Sequence, residues 1–289
     1  MILSASTLLL LGLVGVAAGW LGALVGIGGG IIIVPALVLG FGVDFQVAVA
    51  TSLIAVIATS TTAGSVYVGM GLANMRLGMT LEVATTIGGV AGGLAATVLS
   101  ASLLGGVFSV VMLATSLLML RGARRPPERL VEPSEVGALG WEEPGTLAGA
   151  YFDHNRGGMV RYRVTRLPVG SMVSFLAGGL SGMLGVGGGF LKVPAMNLGM
   201  GVPIKVAAAT SNFMIGVTAV ASLFIYFARG FVQPLLAAPL ALGVVAGSWA
   251  GTRTSDKAQP AMLKRVLAAI LVLVAVQMAL RAIGVGFDG

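Results

Sequence analysis

Apolar residues dominate the chain in eight long stretches, 5–40, 46–69, 79–100, 102–120, 168–199, 206–228, 233–252 and 262–284, separated by short polar breaks. Each has the roughly 20 residues needed to cross about 30 Å of hydrocarbon as a helix. Polarity does not alternate at every second residue, as barrel strands would require. The pattern therefore predicts an all-α polytopic membrane protein. The apolar start runs into a Gly-rich motif without a basic leader, so it is expected to be retained as the first helix. Residues 121–167 form the only long polar stretch, where Tyr151 to Val164 predicts a short β-hairpin turning at Asn155–Gly158.

The stretch Gly19-Trp20-Leu21-Gly22-Ala23-Leu24-Val25-Gly26-Ile27-Gly28-Gly29-Gly30 and its continuation through Pro35-Ala36 returns as Gly178 to Ala195, with roughly half of the positions identical. The same offset carries Val47-Ala48 onto Val206-Ala207 and Ala50-Thr51-Ser52 onto Ala209-Thr210-Ser211. The chain thus divides into a first transmembrane repeat (1–120), a polar cytoplasmic linker (121–167) and a second repeat (168–289). Gly/Pro-interrupted apolar segments at matching places in two halves point to a secondary-transporter site.

Charge decides orientation. The chain of 289 residues is 57% hydrophobic and 9% charged, with a formal charge of +7. Its mean hydropathy is +1.01 and its pI about 10.4. The basic residues sit between apolar segments and so report topology rather than nucleic-acid binding. With eight Arg, 121–167 is expected on the cytoplasmic side. A single crossing by 168–199 would put Arg253, Lys257, Lys264 and Arg265 outside. A hairpin there puts them inside with Arg76 and Lys205, leaving Asp44, Arg229 and Arg281 outside, and makes the repeats inverted. The hairpin is the favoured reading, although its returning limb is short. With no Cys and one His, His154, no cofactor or metal site is expected.

Three glycines in succession break a helix. The amides they free, at Gly28, Gly29, Gly30, Gly187, Gly188 and Gly189, can converge on an anion at the positive end of the following helix. Pro35 and Pro194 loosen the next turn, and the glycines equally suit close helix packing. Gly88–Gly93 and Gly247–Gly251 fit packing better than ligand binding. Lys192 follows the second triplet where the first repeat has Ile33, and an intramembrane lysine needs a partner or a function. No neighbouring carboxylate is evident, so a bound anion is one partner and a snorkel to the interface is the alternative. Thr51, Ser52, Thr210, Ser211 and Asn212 offer uncharged donors for an oxyanion, or bonds between helices. Asn197 and Thr59–Thr62 are weaker candidates, and Arg76 and Arg229 read as interfacial anchors.

Together, the duplicated Gly-x-Gly-Gly-Gly-x4-Pro at Gly26 to Pro35 and Gly185 to Pro194, the turn at Asn74-Met75-Arg76 and the Gly247–Gly251 segment resemble the TauE/SafE family of sulfite and organosulfonate exporters. The resemblance covers the chain outside 121–167. It implies export of a small anion such as sulfite, sulfoacetate or a related sulfonate across the bacterial cytoplasmic membrane, and marks Gly26, Pro35, Gly185 and Pro194 as motif positions. The expected partners are the small anion and the lipid bilayer, not nucleic acid, and homo-oligomerisation stays open. An anion channel and a carrier of a non-sulfur anion such as a carboxylate are the alternatives; an enzyme is not expected, for want of a nucleophile–base pair. Glu82 and Asp44 are placed near helix ends, so uniport, driven by about 2.3 kcal/mol per charge per 100 mV, is favoured over proton coupling.

Overall fold

The computed structural model describes residues 4–121, 130–131, 147–153, 157–254 and 260–282. Ten α-helices are assigned: α1 (Ala5–Val25), α2 (Gly30–Pro35), α3 (Phe45–Gly69), α4 (Met75–Ala96), α5 (Ala101–Arg121), α6 (Leu167–Leu184), α7 (Gly189–Pro194), α8 (Ile204–Ala228), α9 (Pro234–Thr254) and α10 (Pro260–Ala282). Among the described residues six of them, α1, α3, α4, α6, α8 and α9, are long and apolar enough to cross a membrane. The polytopic helical architecture read from the pattern is the one observed.

The packing is that of a lipid-facing bundle. On α4, beyond exposed Arg76 and Thr80 in its first two turns, the exposed large side chains are apolar (Met79, Val83, Ile87, Val90, Leu94), whereas Glu82, Thr85 and glycines point inward. Small residues let the backbones close up. A Cβ on Gly88 or Gly92 would overlap the carbonyls of Phe175 and Gly179 of α6, and one on Gly247 would overlap that of Val16 of α1. The helix pairs are exchanged between the halves, since α1 packs along α9, α4 along α6 and α5 along α10, with α3 against α8 at the centre. Gly64 faces Phe213 and Gly216 faces Ser60, so α3 and α8 run in opposite directions.

Each first segment turns back at its glycines. A Cβ on Gly22 would overlap Gly29, and one on Gly29 would lie 2.7 Å from the Ala18 carbonyl, so the chain has returned onto α1 within seven residues. After Pro35 and Pro194, the missing N–H is followed by a single wide π-helical stretch, Ala36–Gly40 and Ala195–Gly199. Thr165 N–H donates to Met200 O at 3.0 Å, so the second segment leaves from and returns to the same end of the bundle.

A small antiparallel sheet closes that end. Strands β1 (Leu130–Val131), β2 (Gly149–Asp153) and β3 (Gly158–Tyr162) take the order β1-β3-β2. The residues of the expected turn from His154 to Arg156 lie outside the described residues, as do Arg124 to Pro127 and Lys257. Buried Tyr151 and Val160 pack on Leu77, Leu81, Val193, Met200 and Val206. Asn74 ties the layers together: its Oδ1 accepts from Leu77 N–H at the start of α4, and its Nδ2 donates to Leu147 O and Tyr162 Oη. The starts of α4 and α8 therefore share the end covered by the sheet.

Candidate functional site

The two glycine breaks meet each other. Helix α1 ends with Gly26 in the left-handed region (φ 77°), followed by Gly28 and Gly29 at φ 87° and 77°. Gly185, Gly187 and Gly188 repeat the pattern at 70°, 82° and 69°. Only glycine adopts this succession without strain. Ser52 Oγ donates to Gly185 O at 2.8 Å, and its repeat equivalent Ser211 Oγ donates to Gly26 O at 3.0 Å. Gly30 lies against the Gly185 carbonyl and Gly189 against that of Gly26, while Gly28 and Gly187 both face Val56 and Ile215. A pseudo-twofold relationship thus joins the repeats at their breaks. A further matched pair is Tyr67, whose hydroxyl donates to Ala23 O, and Tyr226, whose hydroxyl donates to Gly182 O.

This arrangement sorts the polar candidates. The Ser52 and Ser211 protons are held by the breaks. Thr210 Oγ1 accepts from Asn74 N–H at 2.9 Å, and Asn212 Nδ2 donates to Ala23 O at 3.2 Å. Thr51 Oγ1, Asn212 Oδ1 and Ser181 Oγ are buried without a hydrogen-bond partner among the described residues. Thr59, Thr61 and Thr62 return their hydroxyls to carbonyls of their own helix, and Asn197 Nδ2 closes the π stretch onto Val202 O. Arg76 and Arg229 are exposed at the start of α4 and the end of α8.

Lys192 is fully buried on α7 and does not snorkel. Nor does it lack a carboxylate: its Nζ is 3.7 Å from Glu82 Oε2, on α4 of the other repeat. Two readings of the sequence are corrected here. Glu82 lies on the third turn of α4 and is buried, because the Asn74 cap starts the helix at Met75 rather than at residue 79. Thr218 links the pair, donating to Glu82 Oε1 at 2.6 Å with Lys192 Nζ at 3.4 Å from the same hydroxyl. Thr86 adds a second bond to Oε1 at 3.0 Å, whereas Oε2 accepts no hydrogen bond. In low dielectric, such a pair holds together only while each charge keeps its partner.

The pair breaks the internal symmetry. Carried across by the repeat offset, Lys192 corresponds to Ile33, Glu82 to Ala241 and Thr218 to Thr59, so the equivalent place at α2, α9 and α3 has the threonine but neither charge. A profile of the family described as sulfite exporter TauE/SafE matches residues 11–278. The chain belongs to the TauE/SafE family. Among its TauE/SafE relatives it is 29% identical over 272 residues to the probable membrane transporter protein YunE of Bacillus subtilis, covering 91% of this chain and 94% of that one. It is 27% identical to a probable membrane transporter protein of Xylella fastidiosa strain 9a5c (92% and 90% covered). It is also 24% identical to the probable membrane transporter protein MJ0441 of Methanocaldococcus jannaschii (91% of each). No solved structure gives a significant match. This TauE/SafE chain is a multi-pass membrane transporter, and the sequence pattern did not reveal Glu82 as the partner of Lys192.

Proposed function

We propose that this transporter exports a small oxyanion, with sulfite, sulfoacetate and related organosulfonates as the substrate class, across the bacterial cytoplasmic membrane. The observation that carries the reading is the fully buried Lys192 on the short helix that begins at a glycine break. Such a helix start offers amide N–H groups and a positive dipole end, and Lys192 adds a full positive charge close by. Unpartnered Thr51 Oγ1 and Ser181 Oγ are uncharged donors of the kind that bind an oxyanion and still release it.

The repeats are inverted across the bilayer in this reading, as the opposed directions of α3 and α8 suggest, and each half exposes the site in turn by rocking against the other. The seam that slides is the contact between the two breaks, where Ser52 and Ser211 hold the closed arrangement. Purified protein in liposomes loaded with unlabelled anion should take up labelled sulfite or sulfoacetate by saturable countertransport, and Lys192→Met should reduce the rate at least about tenfold, the loss of one charged contact. Absence of exchange with every sulfur oxyanion overturns the substrate class.

A further inference from the structure

The Glu82–Lys192 pair also carries a statement about coupling, which rests on the anion reading above. We infer that Glu82 is the proton-binding group of this transporter, and that its carboxylate and the transported anion take turns as the partner of Lys192, so that one proton moves with each monovalent anion.

Three observations lead there. The pair is enclosed, with Lys192 fully buried and Glu82 7% exposed, so a charge left alone in it is strongly disfavoured. The two carboxylate oxygens are treated differently: Thr218 and Thr86 both donate to Oε1, whereas Oε2 faces Lys192 at 3.7 Å and accepts no hydrogen bond. Oε2 is therefore the oxygen open to a proton. The pair is also absent from the other half of the duplication, since the residues carried across by the repeat offset are Ile33, Ala241 and Thr59. A role confined to holding helices together does not explain charges on one side of the pseudosymmetry.

Among the described residues of the elements packed against α4 and α7, no other ionisable side chain competes for the role. Helix α6, packed along α4 and α7, has no titratable residue. On α8, Lys205 lies at the first turn and Tyr226 two turns beyond Thr218, where its hydroxyl donates to Gly182 O. Arg76 is exposed at the start of α4, and the π-helical stretch after α7 contributes only Asn197. On α5, Arg121 is the last residue. Glu82 and Lys192 answer to each other.

The exchange balances. In the paired state the site holds one positive and one negative charge. An entering monovalent anion takes the Lys192 ammonium, and the displaced carboxylate gains a proton from the water on that side, forming an O–H bond at Oε2. The loaded site is again neutral, which is the condition for moving it through a low-dielectric barrier. Release on the other side reverses both steps: the anion leaves, the Oε2 proton returns to water and Lys192 rejoins the carboxylate. No further reactant is needed. Export of a monoanion by this route follows the combined gradient of anion and proton and moves no net charge, in contrast to uniport.

The test uses the full-length protein in liposomes, with methanesulfonate and isethionate, whose charge does not change with pH, alongside sulfite, and with voltage clamped at zero. Internal pH dye and labelled anion together give the stoichiometry. One proton per monoanion is expected, with a one-unit pH difference sustaining about a tenfold anion gradient. In Glu82→Gln, any flux that remains should ignore the pH difference at zero voltage and should follow voltage once the clamp is moved off zero. Anion flux in the wild-type protein without proton movement overturns the coupling and leaves the anion reading intact. Flux of no probe at all overturns both. The wild-type stoichiometry decides the matter even if the variant does not fold.

Discussion

Lys192 of the second repeat and Glu82 of the first stand 3.7 Å apart inside the bundle, both held to the Thr218 hydroxyl. The relationship makes one interior charge the condition for the other.

Removing either charge alone should therefore be worse than removing both. Lys192→Met and Glu82→Gln are each expected to destabilise the protein by about 3–5 kcal/mol, because a buried charge is left unpaired. The double variant should lose much less than the sum. A double-mutant cycle on thermal unfolding in detergent measures the coupling, and additive losses would contradict the pairing.

The contact between breaks predicts matched effects at matched glycines. Gly30→Ala and Gly189→Ala each drive a Cβ into the opposite break's carbonyl, with an expected loss of roughly 1–3 kcal/mol. Gly106→Ala, which meets nothing within 4 Å, serves as the control and should be neutral or slightly stabilising. Thermal unfolding of the three variants side by side checks this.

Ser52→Ala and Ser211→Ala leave the Gly185 and Gly26 carbonyls without their hydroxyl donors. Each should lower stability by about 1–3 kcal/mol. The two losses should be similar, as repeat equivalents. Exposed Ser65→Ala provides the baseline, and a pronounced inequality between the two serines would argue against a symmetric seam.

Asn74→Ala removes the cap of α4 and the two bonds to the sheet region. Loss of about 1 kcal/mol is expected from the cap, and limited trypsin digestion should cut the 121–166 segment faster than in the wild-type protein. Unchanged digestion would show that the sheet is held by Tyr151 and Val160 alone.

Much of this was legible in the chain, because duplication leaves a signal that needs no contacts. The glycine breaks, the following prolines and the odd lysine at position 192 are all visible as departures between two aligned halves. The partner of Lys192 was not. Glu82 is far away in sequence, and the hydropathy pattern places the helix start at 79, within one turn of it. Asn74 ahead of Met75-Arg76-Leu77 is a capping signal that moves the start back and puts Glu82 in the interior. The fate of the Thr-Ser pairs was hidden for another reason. Ser52 and Ser211 serve carbonyls of the opposite repeat, and hydroxyl partners across an interface leave no trace in spacing.

The central claim is an anion site that includes Lys192. Its most direct test is the thermal unfolding temperature of the purified protein against a panel of sulfite, sulfoacetate, taurine, sulfate and carboxylate analogues, for the wild type and for the Glu82→Gln/Lys192→Met double variant. A ligand at about 100 times its Kd adds roughly 2.7 kcal/mol to the folded state. The account predicts a rise selective for sulfite or a sulfonate in the wild type and none in the double variant. A rise of equal size in both proteins, or no rise with any sulfur oxyanion, would contradict it.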